Sequence, residues 1–322
     1  MSKVDILLAT YNGEQFLKSQ IDSILNQTYT DFRLLISDDS SNDSTVSILK
    51  EYEKLDKRIV LFLQEKNLGI MKNFEFLLSK VESKYYMFSD QDDVWNEDKI
   101  MLSIEKLENT NSDVVFSDLE VVDSDLNVIY DSYWKLKGFY KKIIKYNSFE
   151  ALYLTNYVTG CTMISKSEYI NECLPFPDSK YILYDYWIAL ILSKSHKISY
   201  IEKPLIKYRQ HKHNTIGSKK KSNELKSIDE IRKLFIDVKK DHFSSFIQNE
   251  DKFFSDEIKS LNHRSLEYFE MLEKKKYFNF KGWGLFSRLY RYENFKYRLE
   301  NFLILNLPFF ARILFKIRSI FK

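Results

Sequence analysis

Three clusters of polar residues in the first hundred positions have the residue types needed to bind a charged ligand. Each cluster lies at the end of a short apolar run, and the three are Thr10-Tyr11-Asn12, Asp38-Asp39 and Asp90-Gln91-Asp92-Asp93. If the apolar runs are parallel strands, their carboxyl ends share one edge of a sheet and the clusters meet there. Carboxylates gathered in one place repel each other unless a cation compensates, so the sequence predicts a divalent metal site. For any single cluster, ordinary turn chemistry of Asp is the alternative.

The elements that position these clusters follow from the hydrophobic pattern. Continuous apolar runs, typical of strands buried on both faces, occupy residues 4–10, 32–37, 59–63, 85–89 and 113–117. Helix-period apolar positions separate them, which predicts an α/β fold with one mostly parallel sheet flanked by helices. Beyond residue 118 we expect a hairpin at 120–133, a helix near 148–156, a helix over 184–192 and a final strand over 199–209.

The composition agrees with a folded enzyme-sized chain. The 322 residues are 44% hydrophobic with only 7 Gly and 4 Pro, which excludes a disordered or fibrous protein. Cys161 and Cys173 are too few for a disulfide framework and are expected to be plain core residues. No run reaches the roughly 18 apolar residues of a transmembrane helix, and the N-terminus does not resemble a signal peptide, so we expect a cytoplasmic protein.

Charge divides the chain into two parts. Residues 1–216 hold 26 Lys and Arg against 32 Asp and Glu (net −6), whereas residues 217–322 hold 23 against 14 (net +9). A Lys- and Ser-rich stretch from Gly217 has the composition of a linker, and helix-period patterns follow it. We therefore predict two domains, 1–216 and 217–322, the second an α-helical basic extension.

The end of the chain has an amphipathic pattern. On a helical wheel its apolar residues share an arc of about 140° and its cations lie on the rest; the apolar set is Phe309, Phe310, Ile313, Leu314, Ile317, Ile320 and Phe321. This predicts a C-terminal helix over 308–322 on an anionic membrane surface. Packing on its own domain or on a partner subunit is the alternative. A nucleic-acid partner is not expected, because binding to nucleic acid does not require an apolar helix face.

Five motifs in a fixed order resemble glycosyltransferase family 2. They are Ala9-Thr10-Tyr11-Asn12-Gly13, Gln27-Thr28-Tyr29, the stretch from Ser37 to Thr45, Asn67-Leu68-Gly69, and Ser89-Asp90-Gln91-Asp92-Asp93-Val94-Trp95. The resemblance covers roughly residues 1–216. Further blocks, Thr-Gly-Cys at 159–161, Tyr-Asp-Tyr-Trp at 184–187 and Tyr-Arg-Gln-His at 208–211, look most like bacterial polysaccharide rhamnosyltransferases.

The resemblance implies a GT-A, Rossmann-like fold and an inverting, metal-dependent transfer with Mg²⁺ or Mn²⁺. The donor would be a UDP- or dTDP-sugar, with dTDP-rhamnose the best guess, and the acceptor a hydroxyl of a growing, lipid-linked cell-surface glycan. With the basic tail, it implies a peripheral enzyme on the inner face of the cell membrane. The alternative is a non-catalytic nucleotide- or glycan-binding module docked to a membrane assembly by its tail.

The resemblance also implies roles for the residues of the first two clusters. Thr10 and Tyr11 should border the nucleobase and ribose, and Asp39 should accept the N3–H of a pyrimidine. Uracil and thymine both offer that N–H, whereas cytosine offers only an acceptor.

Metal and donor contacts are implied for the third cluster. Asp90 and Asp92 should contact ribose and metal, with Asp92 the direct ligand, and His211 should be a further metal or diphosphate ligand. Asp93 should serve the donor sugar or the acceptor. Helix capping is the alternative for Asp93, and an ordinary surface position is the alternative for His211.

Asp185 matches the family position of the general base, which takes the proton of the attacking hydroxyl. Its predicted place in the first turn of a helix allows another explanation, because an Asp there stabilises the helix dipole without any catalytic duty.

Overall fold

A computed structural model describes residues 3–146, 148–211, 227–274, 280–293, 295–308 and 311. The chain forms two compact units, one of Met1–Phe176 with Tyr184–Ser218 and one of Pro177–Leu183 with Lys219–Lys322. The predicted linker, and residues 309, 310 and 312–322 of the predicted C-terminal helix, lie outside the described residues. The membrane helix and the domain boundary at 216 therefore stay predictions.

The first unit alternates strands and helices over its first hundred residues. Its strands and longer helices, in chain order, are β1 Val4–Thr10, α1 Leu17–Leu25, β2 Phe32–Asp38, α2 Thr45–Leu55, β3 Ile59–Leu63, α3 Ile70–Leu78, β4 Tyr85–Ser89, β5 Val94–Trp95, α4 Lys99–Asn109 and β6 Val114–Val122. After these come β7 Val128–Tyr130, α5 Tyr133–Lys137, α6 Tyr140–Tyr146, α7 Phe149–Leu152, β8 Ile164–Lys166, α8 Ile170–Cys173, α9 Tyr184–Ser193 and β9 Ile198–Arg209. A 3₁₀ turn, Gly160–Thr162, precedes β8.

The strands of the described residues form one mixed sheet in the order β3-β2-β1-β4-β8-β6-β9-β5, with β7 paired to β6. The pairs β1–β2, β1–β4, β2–β3 and β6–β9 are parallel. The mostly parallel α/β fold is thereby confirmed. Two short strands depart from the parallel arrangement: β8 lies antiparallel between β4 and β6, and β5 pairs antiparallel with β9. The carboxyl ends of β1, β2 and β4 lie side by side, as the ligand-site argument requires.

The core explains why these elements form. β1 is buried at every position, as expected for a central strand covered on both faces. Helix α1 packs Leu17, Ile21 and Ile24 against the apolar face of the sheet, and α4 adds Ile100 and Ile104 to the same cluster. The i, i+3/i+4 spacing of these positions is what produces a helix with one apolar face.

The second unit is helical in its described residues, with α10 Ile228–Gln248, α11 Glu250–Phe253, α12 Asp256–Glu273, α13 Phe280–Leu289 and α14 Phe295–Asn306. Ser227 and Glu230 form a capping box at the start of α10. A hydrogen-bonded pair, Tyr268 and Asn306, joins α12 to α14 in the interior. Nowhere in the described residues is a helix both long and apolar enough to cross a bilayer.

Candidate active site

At the end of β2, each carboxylate oxygen of Asp38 and Asp39 accepts at least one hydrogen bond from the protein. Asp38 accepts from the Thr10 hydroxyl at 2.9 Å, and from the Ser41 hydroxyl at 2.6 Å and backbone N–H at 2.9 Å. These bonds connect the ends of β1 and β2 and stabilise the turn after β2.

Asp39, the predicted pyrimidine contact, holds a neighbouring loop. One carboxylate oxygen accepts the N–H of Leu68 at 2.6 Å and the other accepts the N–H of Gly69 at 2.9 Å. Gly69 has φ +80°, a conformation that favours glycine, which explains the Asn-Leu-Gly motif. Each carboxylate oxygen can accept more than one hydrogen bond, so the 4% exposed Asp39 keeps lone pairs for a ligand.

Gln91 connects the end of β1 to the end of β4. Its side-chain amide accepts the N–H of Tyr11 at 2.9 Å and donates to the Tyr11 carbonyl at 3.0 Å. The approach is close, because a Cβ at Gly13 would lie 2.4 Å from the Gln91 Oε1 atom. The ring of Tyr11 remains at the surface, with the residue 46% exposed. Sequence reasoning assigned Gln91 no role.

Carboxyl groups at the end of β4 face a cysteine. One donor atom from each of Asp90, Asp93 and Cys161 lies within 4.8 Å of the others, and we call these three residues the acid–thiol group. Asp93 and Cys161 are buried at 0% exposure, and Asp90 is partly buried. Cys161 belongs to the apolar core, as expected, and its thiol also lies beside these two carboxyls.

The acid–thiol group is electrostatically strained. Burial, followed by the charges of Asp92 and Asp185, raises the pKa of Asp90 to about 7. Burial and the neighbouring carboxyls of Asp92 and Asp90 raise the pKa of Asp93 well above its usual range. One oxygen of Asp93 has no hydrogen-bond partner within the described part of the chain, and the other accepts the N–H of Arg209 at 3.1 Å.

Asp92 and His211 contact each other directly. The Nε2 atom of His211 lies 2.7 Å from a carboxylate oxygen of Asp92, and the imidazole also packs on Phe16, with ring centroids 4.7 Å apart. The loop carbonyl of Asp92 accepts from the guanidinium of Arg209 at 2.8 Å. The structure thus pairs the predicted ligand Asp92 with the predicted ligand His211, and it pairs Asp90 with Asp93.

Lys99 is an unexpected neighbour of the acid–thiol group. Its ammonium is fully buried, has no hydrogen-bond partner in the residues that the structure describes and lies 3.3 Å from the centroid of the Trp95 ring. Burial lowers its pKa to about 7, opposed by the nearby Cys161 and Asp93. A Lys on the apolar face of α4, beside Ile100 and Ile104, is the sequence signal that could have identified it.

Asp185 lies at the start of α9 in a pocket of backbone donors. Its carboxylate accepts the N–H of Gly160 at 3.0 Å and the N–H of Tyr186 at 2.6 Å, and Asn156 approaches to 3.5 Å. Burial raises its pKa to about 6, although these N–H groups act in the opposite direction. A carboxyl with this pKa is ionised at neutral pH and can still accept a proton.

Tyr184 joins the Asp185 region to the end of β4. Its ring packs on Phe74 and Phe88 at 4.2 and 4.7 Å, and its hydroxyl is close enough to the carboxyl of Asp90 to lower the pKa of that group. A Cβ at Gly160 would lie 2.4 Å from the Tyr184 hydroxyl, so only glycine fits there. The predicted residues at the ends of β1, β2 and β4 and at the start of α9 therefore belong to one region of the first unit.

The donor set fits a divalent cation. The carboxyls of Asp90 and Asp93 repel each other when both are ionised, and one oxygen of Asp93 has no hydrogen-bond partner among the described residues. A positive ion bound between them would remove that repulsion. Asp92 adds a third carboxylate close enough to influence both.

The sequence model described as Glycosyl transferase family 2 matches residues 5–172, more than half of the chain. The chain belongs to glycosyltransferase family 2. One relative is the dTDP-rhamnosyl transferase RfbG of Shigella flexneri, 32% identical over 224 residues, which are 66% of this chain and 74% of RfbG. This family membership makes the protein a glycosyltransferase, as the motifs predicted.

Solved structures show that this family 2 chain has the GT-A glycosyltransferase fold. Residues 1–349 of S. aureus TarS, in complex with UDP-GlcNAc, match with a TM-score of 0.58 and 16% identity over 94% of this chain and 87% of that one. The mannosyltransferase PcManGT from Pyrobaculum calidifontis, in complex with GDP-Man and Mn²⁺, matches with a TM-score of 0.55 and 14% identity over 90% of this chain and 74% of that one.

Proposed function

We propose that this family 2 enzyme transfers a sugar, with inversion, from a UDP- or dTDP-sugar to a hydroxyl of a bacterial cell-surface glycan. The observation that carries the proposal is the buried carboxylate of Asp185, oriented by two backbone N–H groups in the same region as the Asp90 carboxyl. An inverting transfer needs one such base, because the hydroxyl loses its proton as it attacks.

The proposed step involves only the residues already described. The acceptor oxygen bonds to the anomeric carbon from the face opposite the diphosphate, its proton passes to a carboxylate oxygen of Asp185, and the diphosphate leaves with the electron pair of the broken bond. Two N–H donors fix the orientation of Asp185 before the acceptor arrives, which lowers the entropic part of the barrier. The helix-dipole alternative explains the position of Asp185 but does not require a raised pKa.

Donor recognition is proposed for the ends of β1 and β2. The exposed ring of Tyr11 can stack on the nucleobase, Thr10 borders the ribose, and the spare lone pairs of Asp39 accept the pyrimidine N3–H. Similarity to RfbG supports dTDP-rhamnose as the first donor to test. TarS and PcManGT take different nucleotides, so the fold alone does not select the base.

Metal binding is proposed for the predicted ligands Asp90, Asp92 and His211, and for Asp93. The bound cation, Mg²⁺ or Mn²⁺, supplies positive charge for the leaving diphosphate. The mutual repulsion of the carboxyls supports this role. Asp93 was predicted to contact the donor sugar or acceptor, and its place beside Asp90 makes it a candidate metal ligand as well.

A donor panel tests the proposal. Release of nucleoside diphosphate is measured with dTDP-rhamnose, UDP-glucose, UDP-GlcNAc and GDP-mannose, each with a glycan acceptor and with Mg²⁺, Mn²⁺ or EDTA. We expect turnover with one pyrimidine donor and none in EDTA. Turnover with GDP-mannose alone would refute the role of Asp39, and nucleotide binding without turnover on any acceptor would favour the non-catalytic binding module.

Location at the membrane is a separate proposal that depends on the basic C-terminal segment. We propose that the protein is cytoplasmic and peripheral on the inner face of the cell membrane, held by residues 308–322. Deleting them should abolish sedimentation with anionic vesicles while donor binding persists. Equal sedimentation of the full and shortened chains would refute this, and binding to duplex DNA is not expected.

A further inference from the structure

Helices α5 and α6 form a basic surface that the proposed reaction does not use. Gly138, with φ +73°, makes the turn between them, and we call residues 133–146 the basic helix pair. The pair contains five lysines, and no Asp or Glu occurs between Asp131 and Glu150. Four of these lysines are exposed, namely Lys135, Lys137, Lys141 and Lys145. The basic helix pair therefore presents positive charge to solvent.

Aliphatic side chains are exposed on the same surface. Leu136 and Ile144 are each 43% exposed. On α6, Ile144 shares one face with Lys141 and Lys145, since residues three and four apart lie side by side on a helix. Five of the twelve exposed large hydrophobic side chains among the described residues lie within residues 128–144. This is a local concentration, whereas single scattered apolar residues are normal on any protein surface.

The strand register places β6, on which the basic helix pair packs, relative to the active site. β8 runs antiparallel to both β4 and β6, and Ile164 pairs with Met87 on one side and with Val115 on the other. β4 and β6 therefore run in the same direction. The carboxyl end of β6 lies at the same edge of the sheet as the carboxyl end of β4, which leads into Asp90.

Hydrogen bonds fix both helices to the sheet near that edge. The buried carboxylate of Asp118 in β6 accepts the hydroxyl of Ser132 at 2.5 Å and the N–H of Trp134 at 3.1 Å. The hydroxyl of Tyr140 in α6 donates to Glu202 of β9 at 2.7 Å. The basic helix pair is thus held at the active-site edge of the first unit.

We propose that the basic helix pair docks the first unit on an anionic lipid bilayer, with Leu136 and Ile144 among the headgroups and the exposed lysines against lipid phosphates. The inference rests on the proposed function, because an acceptor glycan linked to lipid has to be reached at a membrane surface. It adds a contact within the catalytic unit to the one proposed for residues 308–322. Because stable attachment takes two such signals, the pair alone is not expected to hold a shortened chain on vesicles.

Charge distinguishes a bilayer from the other possible occupants. A second copy of the chain would bring lysines against lysines in a two-fold contact, which is unfavourable. Nucleic acid would attract the lysines but does not require the exposed Leu136 and Ile144. An anionic bilayer matches both features of the surface.

A fluorescent probe on the full chain tests the contact directly. Both native cysteines, Cys161 and Cys173, are buried, so a cysteine introduced at the surface can be labelled selectively with an environment-sensitive fluorophore. The labelled variants are Ile144→Cys and, as a control, Leu55→Cys, since Leu55 is 83% exposed at the end of α2. Vesicles contain phosphatidylglycerol and phosphatidylcholine in equal parts, or phosphatidylcholine alone.

We expect the emission of the probe at position 144 to shift to shorter wavelength on the mixed vesicles only, and the emission at position 55 to stay unchanged. No shift at position 144, or equal shifts at both positions, would overturn the proposal. A probe at position 144 that responds only to rising protein concentration would assign the surface to a second copy, and one that responds only to duplex DNA would assign it to nucleic acid. Both results would also overturn the proposal.

A charge variant measures the contribution of the lysines. Lys141→Gln combined with Lys145→Gln should lower the affinity of the full chain for the mixed vesicles at least about tenfold. The matched control is Lys50→Gln with Lys54→Gln, an exposed pair with the same spacing on α2; it should change the affinity less than about twofold, because distant charges are screened by salt. Equal losses in the two double variants would contradict a specific contact.

Failure of this inference and failure of the proposed function are distinguishable. A chain that transfers sugar to a soluble glycan acceptor but shows no shift of the probe at position 144 keeps the function and loses the membrane contact. A chain with the shift and no transfer from any donor keeps the contact and loses the proposed activity.

Discussion

The ends of β2 and β4 lie at the same edge of one sheet and carry the same type of residue, yet their carboxyls differ. At β2 all four carboxylate oxygens of Asp38 and Asp39 accept hydrogen bonds from neighbouring N–H and O–H groups. At β4 the carboxyls of Asp90 and Asp93 lie close to each other and to Cys161, and one oxygen of Asp93 has no hydrogen-bond partner among the described residues.

The difference separates two uses of Asp in one active site. A carboxylate with all its oxygens bonded holds a loop in place, as Asp39 holds Leu68 and Gly69. A buried carboxyl next to another raises the free energy of the protein until a cation or proton neutralises it. The end of β2 is therefore preorganised before the ligand binds, whereas the end of β4 is completed only when the ligand binds.

The largest effect is expected at Asp185, which shares the raised pKa of the β4 region. Asp185→Asn should lower kcat by at least about 10²-fold, because positioned proton transfer contributes about 10²–10⁴-fold. Nucleotide and metal affinities should change little, since the donor is held elsewhere. Asn keeps most of the helix-capping ability of Asp. A near-normal kcat in steady-state assays would therefore show that Asp185 has only a structural role, and Asp93 would become the candidate general base.

A second test uses pH. The pKa of Asp185 is raised to about 6, and the base must be ionised, so protonation below that pH removes activity. At saturating donor, kcat should approach a plateau above about pH 7 and fall about tenfold per unit below pH 6. Nucleotide binding measured at the same pH values is the control. A kcat that stays constant down to pH 5 would contradict this assignment.

A matched pair of isosteric substitutions compares the two strand ends directly. Asp39→Asn replaces one acceptor of a backbone N–H with an NH₂ group and should destabilise the fold by about 1–2 kcal/mol. Asp93→Asn removes a buried acid that resists ionisation and should stabilise the metal-free fold by about 1 kcal/mol. Urea denaturation in EDTA measures both, and shifts of the same sign would remove the distinction between the two ends.

The smallest effect is expected from Lys99, whose positive charge opposes a cation in the acid–thiol group. Lys99→Met keeps the length and the contact with Trp95, and it should raise Mn²⁺ affinity by about threefold. Lys84→Met is a suitable control, since Lys84 is exposed at the other end of β4. Calorimetric titration of both variants provides the comparison, and weaker Mn²⁺ binding in Lys99→Met would assign Lys99 a supporting role instead.

Local patterns in the sequence were enough to predict the framework of the site. The predicted strands 4–10, 59–63 and 85–89 coincide with β1, β3 and β4, because a continuous apolar run between polar turns leaves few other ways to bury its side chains. Parallel pairing then brings their carboxyl ends together. The pyrimidine, metal and base candidates were identified from these ends and from the family motifs.

Tertiary structure alone decided which acidic side chains meet. The family resemblance grouped Asp90 with Asp92, but β4 ends at Ser89, and the residues after it do not follow a strand period. The carboxyl of Asp90 therefore lies beside that of Asp93, and the carboxyl of Asp92 contacts His211 instead. Cys161 reaches them because the three-residue β8 inserts beside β4, and a segment that short has no periodicity from which its place in the sheet could be predicted.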